Sequence, residues 1–273
     1  MGTDAAPKLF PLGTSRLHWA AEYIVRHDAA QVLFPQFGYF QSPGQIRTIV
    51  EILSGARDVP DICHYLCRRD GTPYHPFDPR ALTTDPDFWA QKRAEFADAD
   101  AILLEMASPV EFRLGDLFVQ GNPNHTREVP FAEIWKTGYY AVYEPEIDVR
   151  RETDTEADIA DHFARIDELL GGRPAIVQSH IYRGQQDYGR RAFAGIVSRQ
   201  AASLDWAFID VAELCETHGF RILKNGQTDI HHLSWPGTRA NGVLMLEHVF
   251  AGLGRTLPES TRAAILGDAH EMM

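Results

Sequence analysis

The sequence contains little cysteine and no long apolar stretch. Three of its 273 residues are cysteines. This number is too small for a disulfide framework and leaves at least one thiol unpaired, so we expect a reducing compartment. No run of about 18 apolar residues occurs, so no transmembrane helix is expected. The first residues, MGTDAAPKLFPLG, lack the basic and apolar regions of a secretory signal. These absences predict a cytoplasmic protein that does not span a membrane.

Positive charge is also scarce. Lys and Arg together number 26, whereas Asp and Glu number 38, and the formal net charge is -12. Proteins that bind nucleic acid or anionic lipid mainly through charge carry the opposite excess. We therefore expect no nucleic-acid partner and no membrane partner. The charge says little about small substrates.

The remaining composition is typical of a globular protein. Hydrophobic residues make up 44% of the chain and charged residues 23%, and the length fits one large domain that can bury a sizeable core. We predict a single domain over residues 1–273. Two stretches, 56–87 and 109–153, interrupt its pattern and are predicted to be insertions that form a cap or loops facing the substrate.

Short apolar runs alternate with longer helical patterns along most of the chain, which is typical of a parallel sheet covered by helices. Strands are predicted at 8–13, 31–38, 100–108, 174–181 and 204–211. Helices are predicted between them, and a closing helix over 238–254. The pattern therefore predicts an α/β fold, a three-layer αβα sandwich around a five-stranded parallel sheet.

One polar stretch, NGQTDIHHLSWPG (225–237), places a carboxylate beside two imidazoles. Such a group fits metal ligands, the base of a catalytic triad, or a polar loop. In an open parallel sheet, ligands bind at the carboxyl ends of the strands, and Ser15 follows the first predicted strand. A hydroxyl at that turn lies near backbone N–H groups that can hold an oxyanion, but it needs a base. Asp229 and His232 are candidates to supply that base.

A metal site is the main competing interpretation of the histidines, of which there are 12. The chain has no His-x-Glu-x-x-His helix and no Cys-x-x-Cys pair. Cys63 and Cys67, with His64 between them, lack a second pair of matching spacing and are interpreted as packing thiols. The sequence therefore predicts no metal ligands and no cofactor.

The stretch DIHHLSWPG (229–237) resembles the closing block of the SGNH (GDSL-like) hydrolases, which is Asp-x-x-His followed by a polar residue and a glycine. Gly13-Thr14-Ser15 is similar to the opening Gly-Asp-Ser block. Within this superfamily the chain is most similar to the divergent GSCFA-like branch, on LFPQFGYFQSPGQI and PFAEIWKTG. The resemblance implies a flavodoxin-like fold with Ser15 as nucleophile, His232 as base and Asp229 as its orienting carboxylate.

The resemblance also implies an oxyanion hole. The backbone N–H groups of Ser15 and Gly38 correspond to its first two donors. The family's third block, Gly-x-Asn-Asp, is missing, and EMASP (105–109) stands in its place. Ser108, or Asn122 in GNPN, would donate instead.

The resulting expectation is an enzyme that hydrolyses an O-acyl ester of a carbohydrate or a small molecule. One alternative is an acyltransferase that moves an acyl group from acyl-CoA to a sugar hydroxyl. A second is a non-catalytic binding protein that keeps the fold, which the missing third block favours. A third is a metal-dependent phosphodiesterase. His180, after the fourth strand, and Arg16 and Arg183 are candidates to bind the substrate, the two arginines through an anionic group.

Overall fold

The computed structural model describes residues 5–33, 40–60, 86–119, 150–181 and 188–272. The strands in these ranges are β1 (Lys8–Leu12), β2 (Gln31–Val32), β3 (Ala101–Met106), β4 (Val110–Leu114), β5 (Leu117–Phe118), β6 (Arg150–Thr153), β7 (Ala175–Ser179), β8 (Ala207–Ile209), β9 (Phe220–Ile222) and β10 (Thr228–Leu233). The helices are α1 (Ser15–Arg26), α2 (Pro43–Leu53), α3 (Pro86–Ala97), α4 (Glu156–Leu170), α5 (Tyr188–Ser203), α6 (Val211–His218), α7 (Trp235–Gly252) and α8 (Glu259–Leu266). None of these helices is both long and apolar enough to cross a bilayer.

The chain divides into two compact units. The first comprises Met1–Phe34, Asp98–Ala107 and Leu170–Met273, and the second Pro35–Ala97 and Ser108–Leu169. Much of the two predicted insertions, namely 61–85 and 120–149, lies outside the described residues. The remainder of the insertion predicted at 109–153 contains β4, β5 and β6, which the sequence analysis did not predict.

The first unit contains a five-stranded sheet in the order β2-β1-β3-β7-β8, and all its pairings are parallel. Helices α1, α5, α6 and α7 of the same unit contact this sheet. The predicted α/β fold is therefore confirmed, and the flanked sheet fits a three-layer sandwich. Strand β2 lies on one side of β1 and β3 on the other, so the order of the strands switches between β1 and β3. In open parallel sheets, ligands bind at the carboxyl ends of the strands at such a switch point.

The central strands are apolar because the sheet is buried on both faces. Strand β3 (AILLEM) is buried throughout, and so is β7 (AIVQS). Glu105 is the exception within β3, a carboxylate with an exposed fraction of 0%. A buried charge needs partners, and those of Glu105 lie in the turn between β1 and α1.

Helix α1 packs against α7 in the first unit. Its buried face carries Leu17, Ala20 and Ile24 at helical spacing. The two helices approach closely because α7 has a glycine at the contact: a Cβ on Gly242 would lie 2.9 Å from the carbonyl oxygen of Ala20. The N-termini of α1 and α7 therefore both lie in the first unit. Ser15 is at the start of α1, and His232 lies shortly before the start of α7.

The first unit also contains an antiparallel pair, β9 and β10, which the sequence analysis did not predict. The loop between the strands contains Asn225 and Gly226, and Gly226 has a φ of 80°, a conformation that glycine adopts without strain. The hairpin ends where α7 begins, so it sets the position of the polar stretch.

The second unit contains a three-stranded antiparallel sheet in the order β5-β4-β6. Helix α2 packs against α3 and β5, and Arg93 of α3 donates a hydrogen bond to the carbonyl of Ile52 at 2.8 Å. Glu51, on α2, is buried and forms ion pairs with Arg47, Arg57 and Arg165. The unit therefore has its own sheet and its own network of charges.

The five strands of the parallel sheet lie within the predicted ranges. The main difference is length: β8 covers 207–209 within the predicted 204–211. The predicted strand at 31–38 has only Gln31 and Val32 as strand among the described residues, and 34–39 lies outside them. Helices α6 and α8 were not predicted. The apolar pattern therefore predicts which strands form the sheet more accurately than it predicts where each strand begins and ends.

Candidate active site

The candidate site begins at the turn between β1 and α1. Thr14 has an extended backbone (φ -114°, ψ -171°), and the helix begins at Ser15. Gly13 precedes them because nothing larger fits: a Cβ there would lie 2.7 Å from Cβ of Glu105 and 2.8 Å from Cδ2 of Leu17. The turn therefore packs directly against β3.

The Glu105 carboxylate holds this turn in place. Its Oε2 accepts hydrogen bonds from the N–H of Thr14 at 2.8 Å and from the Thr14 hydroxyl at 2.6 Å. Its Oε1 accepts from Nε of Arg16 at 2.6 Å and lies 2.5 Å from Nη2. The Thr14 hydroxyl thus hydrogen-bonds to Glu105, and it makes no capping hydrogen bond to α1. The backbone N–H groups of the first turn, including that of Ser15, carry the positive end of the helix dipole.

We expect Gly13→Ala to destabilise the protein by roughly 1–3 kcal/mol, a usual cost of overpacking. Its new methyl group would push against Cβ of Glu105, which cannot move without disturbing β3. Urea denaturation followed by circular dichroism measures this cost. Gly189→Ala is the control, because a Cβ at position 189 meets nothing within 4 Å. Equal stability of the two variants would contradict the packing at the turn.

Three side chains form a hydrogen-bonded chain at this turn. Oγ of Ser15 lies 2.8 Å from Nε2 of His232, and Nδ1 of the same imidazole lies 2.8 Å from Oδ2 of Asp229. Both ring nitrogens of His232 therefore have a partner within the chain. The structure thus brings together the three residues predicted as nucleophile, base and orienting carboxylate, although 217 positions separate the first two.

A bulge in the hairpin places His232 at this site. Asp229 pairs with Arg221, and Leu233 pairs with Phe220. Between these two pairs, β10 advances by four residues while β9 advances by one. Strand β10 therefore contains three extra residues, 230–232. Bulges redirect side chains and often stand beside active sites. Here the bulge directs the imidazole of His232 toward Ser15.

Both oxygens of the Asp229 carboxylate have partners. Oδ1 accepts a hydrogen bond from the N–H of His231 at 3.1 Å, and Oδ2 accepts from Nη2 of Arg221 at 2.6 Å in addition to its contact with His232. The side chain of Asp229 is 11% exposed. The carboxylate is thus held by its own turn and by its cross-strand neighbour.

Aromatic rings fix the imidazole and the arginine beside it. The ring of Trp19 lies against that of His232, with centroids 4.4 Å apart and planes inclined by 34°. Trp19 follows Ser15 by four positions on α1, so both side chains lie on one face of the helix. The guanidinium of Arg221 lies over Trp19 at 4.5 Å and over Trp235 at 5.5 Å. These contacts limit the movement of both groups.

The charges at the site favour a neutral base and an ionised carboxylate. Burial lowers the pKa of His232, Asp229 opposes this, and the positive charges of Arg16 and Arg221 lower it further. Burial alone would raise the pKa of Asp229. His232, the N–H of His231 and Arg221 outweigh that effect, so the pKa is lowered. At neutral pH the imidazole can therefore accept a proton, and the carboxylate can stabilise the resulting imidazolium.

The residues after His232 begin helix α7. Oγ of Ser234 accepts a hydrogen bond from the N–H of Gly237 at 3.1 Å and donates one to the carbonyl of His218 at 2.8 Å. Pro236 stands in the first turn, where its missing N–H costs nothing. A Cβ on Gly237 would lie 3.1 Å from that of His218. The stretch thus ends in a tightly packed helix start, which holds the chain directly after His232 in place.

The structure gives Arg16 a role other than the expected contact with an anionic substrate. Its side chain is 8% exposed and pairs with Glu105, and Nη1 also donates to the carbonyl of His231 at 3.3 Å. Arg16 therefore links the turn that carries Ser15 to the bulge that carries His232. We assign it to holding the two together.

His180 stays a candidate substrate contact. It follows β7, and its Nδ1 lies 2.6 Å from the carbonyl oxygen of Ile181. Burial is the largest cause that lowers the pKa of His180 to about 2, and the charges of Arg16 and Arg190 lower it further. The imidazole is therefore neutral. If Nδ1 carries the proton and donates it to Ile181, Nε2 can accept a hydrogen bond from a ligand.

This lowered pKa makes a prediction about stability. An unfolded chain protonates His180 near its ordinary value of 6.5, whereas the folded protein does not. Folding stability should therefore be fully present above about pH 6.5 and fall as the pH decreases, by at most about 1.4 kcal/mol per pH unit. Urea denaturation between about pH 6 and 4 should give a shallower slope for His180→Asn. An unchanged slope would contradict the assignment.

One further predicted oxyanion donor, Ser108, is among the described residues. Ser108 belongs to the second unit, where its hydroxyl accepts a hydrogen bond from the N–H of Val110 at 3.0 Å and its own N–H donates to the carbonyl of Gln41. Gly38, Asn122 and Arg183 lie outside the described residues. Of the four predicted oxyanion donors, the backbone N–H of Ser15 is thus the one that lies in the described part of the first unit.

Three side chains that shape the site were missed by the sequence analysis, namely Glu105, Arg221 and Trp19. Arg221 could have been found, since Asn-Gly at 225–226 between two β-prone segments predicts a hairpin and places residues before and after it side by side. Trp19 stands one helical turn after Ser15, which is also visible in the sequence. Glu105, a lone acid in an apolar strand, is the clearest signal of a buried charge.

A scan against models of known protein families finds no match to this chain, and neither does a search of curated protein sequences.

Proposed function

We propose that this protein is a serine esterase that forms an acyl-enzyme on Ser15. The observation that supports the proposal is the Ser15–His232–Asp229 chain, with both of its hydrogen bonds at 2.8 Å. A serine hydroxyl becomes a useful nucleophile when a neutral base of this kind accepts its proton. The same three groups in the same roles recur on unrelated folds, so geometry is the appropriate criterion.

In the first half of the reaction, Oγ of Ser15 attacks the ester carbonyl and its proton passes to Nε2 of His232. The carbonyl oxygen becomes an oxyanion, which accepts a hydrogen bond from the backbone N–H of Ser15. The carbon–oxygen bond to the alcohol then breaks, and His232 returns the proton to the departing oxygen. Asp229 holds the ring orientation and offsets the charge of the imidazolium.

In the second half, an acceptor attacks the acyl-enzyme. A water molecule gives its proton to His232, the bond to Oγ breaks, and Ser15 regains a proton as the acid is released. A sugar hydroxyl in place of water would give an O-acyl sugar by the same steps. We propose hydrolysis of an O-acyl ester, with a carbohydrate or another small molecule as the alcohol, and treat transfer from acyl-CoA as the alternative.

The test is a pre-steady-state assay with p-nitrophenyl acetate. We expect a burst of about one p-nitrophenolate per active site, which Ser15→Ala abolishes. Ser203→Ala is the matched control, since Ser203 is exposed at the end of α5, and its burst should be unchanged. Absence of a burst from folded protein would instead favour a binding protein.

A second assay separates the two acceptors. Acetyl-CoA is added with a panel of free sugars, and the products are resolved by mass spectrometry. Free acetate in the presence of every sugar supports hydrolysis. An acetylated sugar, formed by the original protein and absent with Ser15→Ala, would identify the transferase.

The pH dependence of kcat/KM follows from the lowered pKa of His232. Protonated His232 cannot act as a base, so activity should rise with pH through a single ionisation below 6.5 and be level at pH 7. Initial rates from about pH 4 to 8, with a substrate that does not itself ionise, measure this midpoint. A midpoint above pH 7 would contradict the proposed electrostatics.

A further inference from the structure

A second group of side chains with ligand chemistry lies in the second unit. Glu111 is on β4, Asp154 directly follows β6, and His162 is on α4. One ligand atom from each lies within 4.8 Å of the others. The group is deeply buried: Glu111 is 0% exposed and His162 4%, and the side chain of Asp154 is 8% exposed.

Two of these ligand atoms lack a hydrogen bond. Oδ2 of Asp154 and Nε2 of His162 are 3.1 Å apart, yet neither has a hydrogen-bond partner within the part of the chain that the structure describes. Buried polar atoms almost always have a partner, and leaving one without it costs free energy. The two atoms are aimed into the same small region as the Glu111 carboxylate, where one shared ligand would satisfy them.

The Glu111 carboxylate is already oriented. Its Oε2 accepts a hydrogen bond from the hydroxyl of Ser42 at 2.6 Å, and its Oε1 from the N–H of Gly44 at 2.7 Å. A Cβ on Gly44 would lie 2.9 Å from Cδ of Glu111 and 2.6 Å from the ring of Phe118. Because residue 44 is a glycine, the start of α2 can approach Glu111 closely enough to donate a hydrogen bond to its carboxylate. Each oxygen still has a lone pair for another ligand.

The surroundings favour a cation. A cavity of about 390 Å³ adjoins the group and is lined by six carboxylates and three guanidinium groups, those of Glu51, Asp116, Glu152, Asp154, Asp158, Asp161, Arg47, Arg57 and Arg113. Negative charge thus exceeds positive charge around this cavity.

We propose that Glu111, Asp154 and His162 bind one divalent first-row metal ion, Mn²⁺ or Zn²⁺. Carboxylate oxygens suit Mn²⁺, and a neutral imidazole suits Zn²⁺, so this mixed set fits either ion. Nε2 is the nitrogen that binds, because it faces Asp154. The three protein ligands leave coordination positions that water from the cavity can occupy.

The imidazole needs one adjustment to bind a metal. The proton must stand on Nδ1, where Nη1 of Arg47 now lies at 3.4 Å. Arg47 can withdraw from that contact and keep its ion pairs with Glu51 and Asp161. The edge-on ring of Phe118, with its centroid 4.8 Å from that of His162, keeps the imidazole in place. The metal would then link β4, the end of β6 and α4.

The proposal is independent of the esterase activity, since none of these residues belongs to the Ser15 site. The test uses the full chain, freed of metal by chelator and dialysis, and titrated with Mn²⁺. Electron paramagnetic resonance of the free ion measures binding. We expect one Mn²⁺ per chain, displaced by Zn²⁺, and a binding constant at least about 10-fold weaker in Asp154→Asn and in His162→Gln.

Glu152→Gln is the matched control. Glu152 lines the same cavity and loses the same charge, but it is not a ligand, so its Mn²⁺ affinity should stay within about twofold of the original. Circular dichroism confirms that each variant is folded, and if Asp154→Asn is not, His162→Gln decides the outcome. No stoichiometric binding by the original protein would overturn the proposal, as would equal weakening by Glu152→Gln or unchanged binding by His162→Gln.

Discussion

Replacing His232 with alanine is expected to lower kcat by roughly 10⁶-fold, the usual loss when the base of such a triad is removed. The same change at His231 should leave kcat within about twofold. The two histidines are neighbours in the sequence, yet the imidazole of His232 contacts both Ser15 and Asp229, whereas the side chain of His231 is exposed.

His231 contributes to the site through its backbone, which alanine retains. Its N–H donates to Asp229, and its carbonyl accepts from Arg16. Steady-state hydrolysis of p-nitrophenyl acetate by the two variants, corrected for the spontaneous reaction, makes the comparison. Similar losses in both, or a larger loss in His231→Ala, would show that the base has been assigned to the wrong imidazole.

Replacing Glu105 with glutamine is expected to lower the free energy of unfolding by about 3–5 kcal/mol, because removing one partner leaves a buried charge uncompensated. The guanidinium of Arg16 is 8% exposed, and the carboxylate of Glu105 is 0% exposed. Glutamine can still accept a hydrogen bond from Thr14, but it cannot offset the positive charge.

Urea denaturation at pH 7 measures this loss. Glu168→Gln is the control. Glu168, like Glu105, pairs with an arginine, here Arg165, but its carboxylate is 68% exposed. We therefore expect its free energy of unfolding to change by less than about 1 kcal/mol. We also expect Glu105→Gln to give a smaller p-nitrophenolate burst than the original protein at temperatures at which the variant is still folded, because the turn that carries Ser15 loosens. A stable variant with full activity would rule out this role for Glu105.

Much of the first unit could be predicted from the sequence. Strands β1, β3 and β7 are short apolar runs buried on both faces, and such runs are unambiguous when longer helical patterns separate them. Helix α1 carries its buried residues at the spacing of one helix face. Chain order then placed Ser15 at the carboxyl edge of the sheet, which suggested the meeting with His232.

The contacts that hold the site together could not be predicted in the same way. Glu105 and Arg16 are 89 positions apart, and no local pattern links them. The bulge that directs His232 depends on how β10 pairs with β9, and hydrophobic alternation does not reveal a three-residue shift. Arg16 shows the consequence: its position beside Ser15 suggested a ligand contact, whereas its partner in the structure is the buried carboxylate of Glu105.

The second unit shows the same limit more strongly. Its sheet pairs β4 with β6 across about 40 residues, and its short strands carry charged residues at exposed positions. Glu111, Asp154 and His162 have none of the close spacings that identify metal sites in a sequence. They come together only through strand pairing and helix packing, so the sequence predicted no metal ligands there.

The central claim is that Ser15 and His232 act together as nucleophile and base. Its most direct test is reaction of the folded protein with a fluorophosphonate, followed by peptide mass spectrometry. The account predicts one adduct per chain, located on Ser15 and absent or strongly slowed in His232→Ala. A folded protein that gives no adduct on Ser15, or the same labelling rate in His232→Ala, would contradict it.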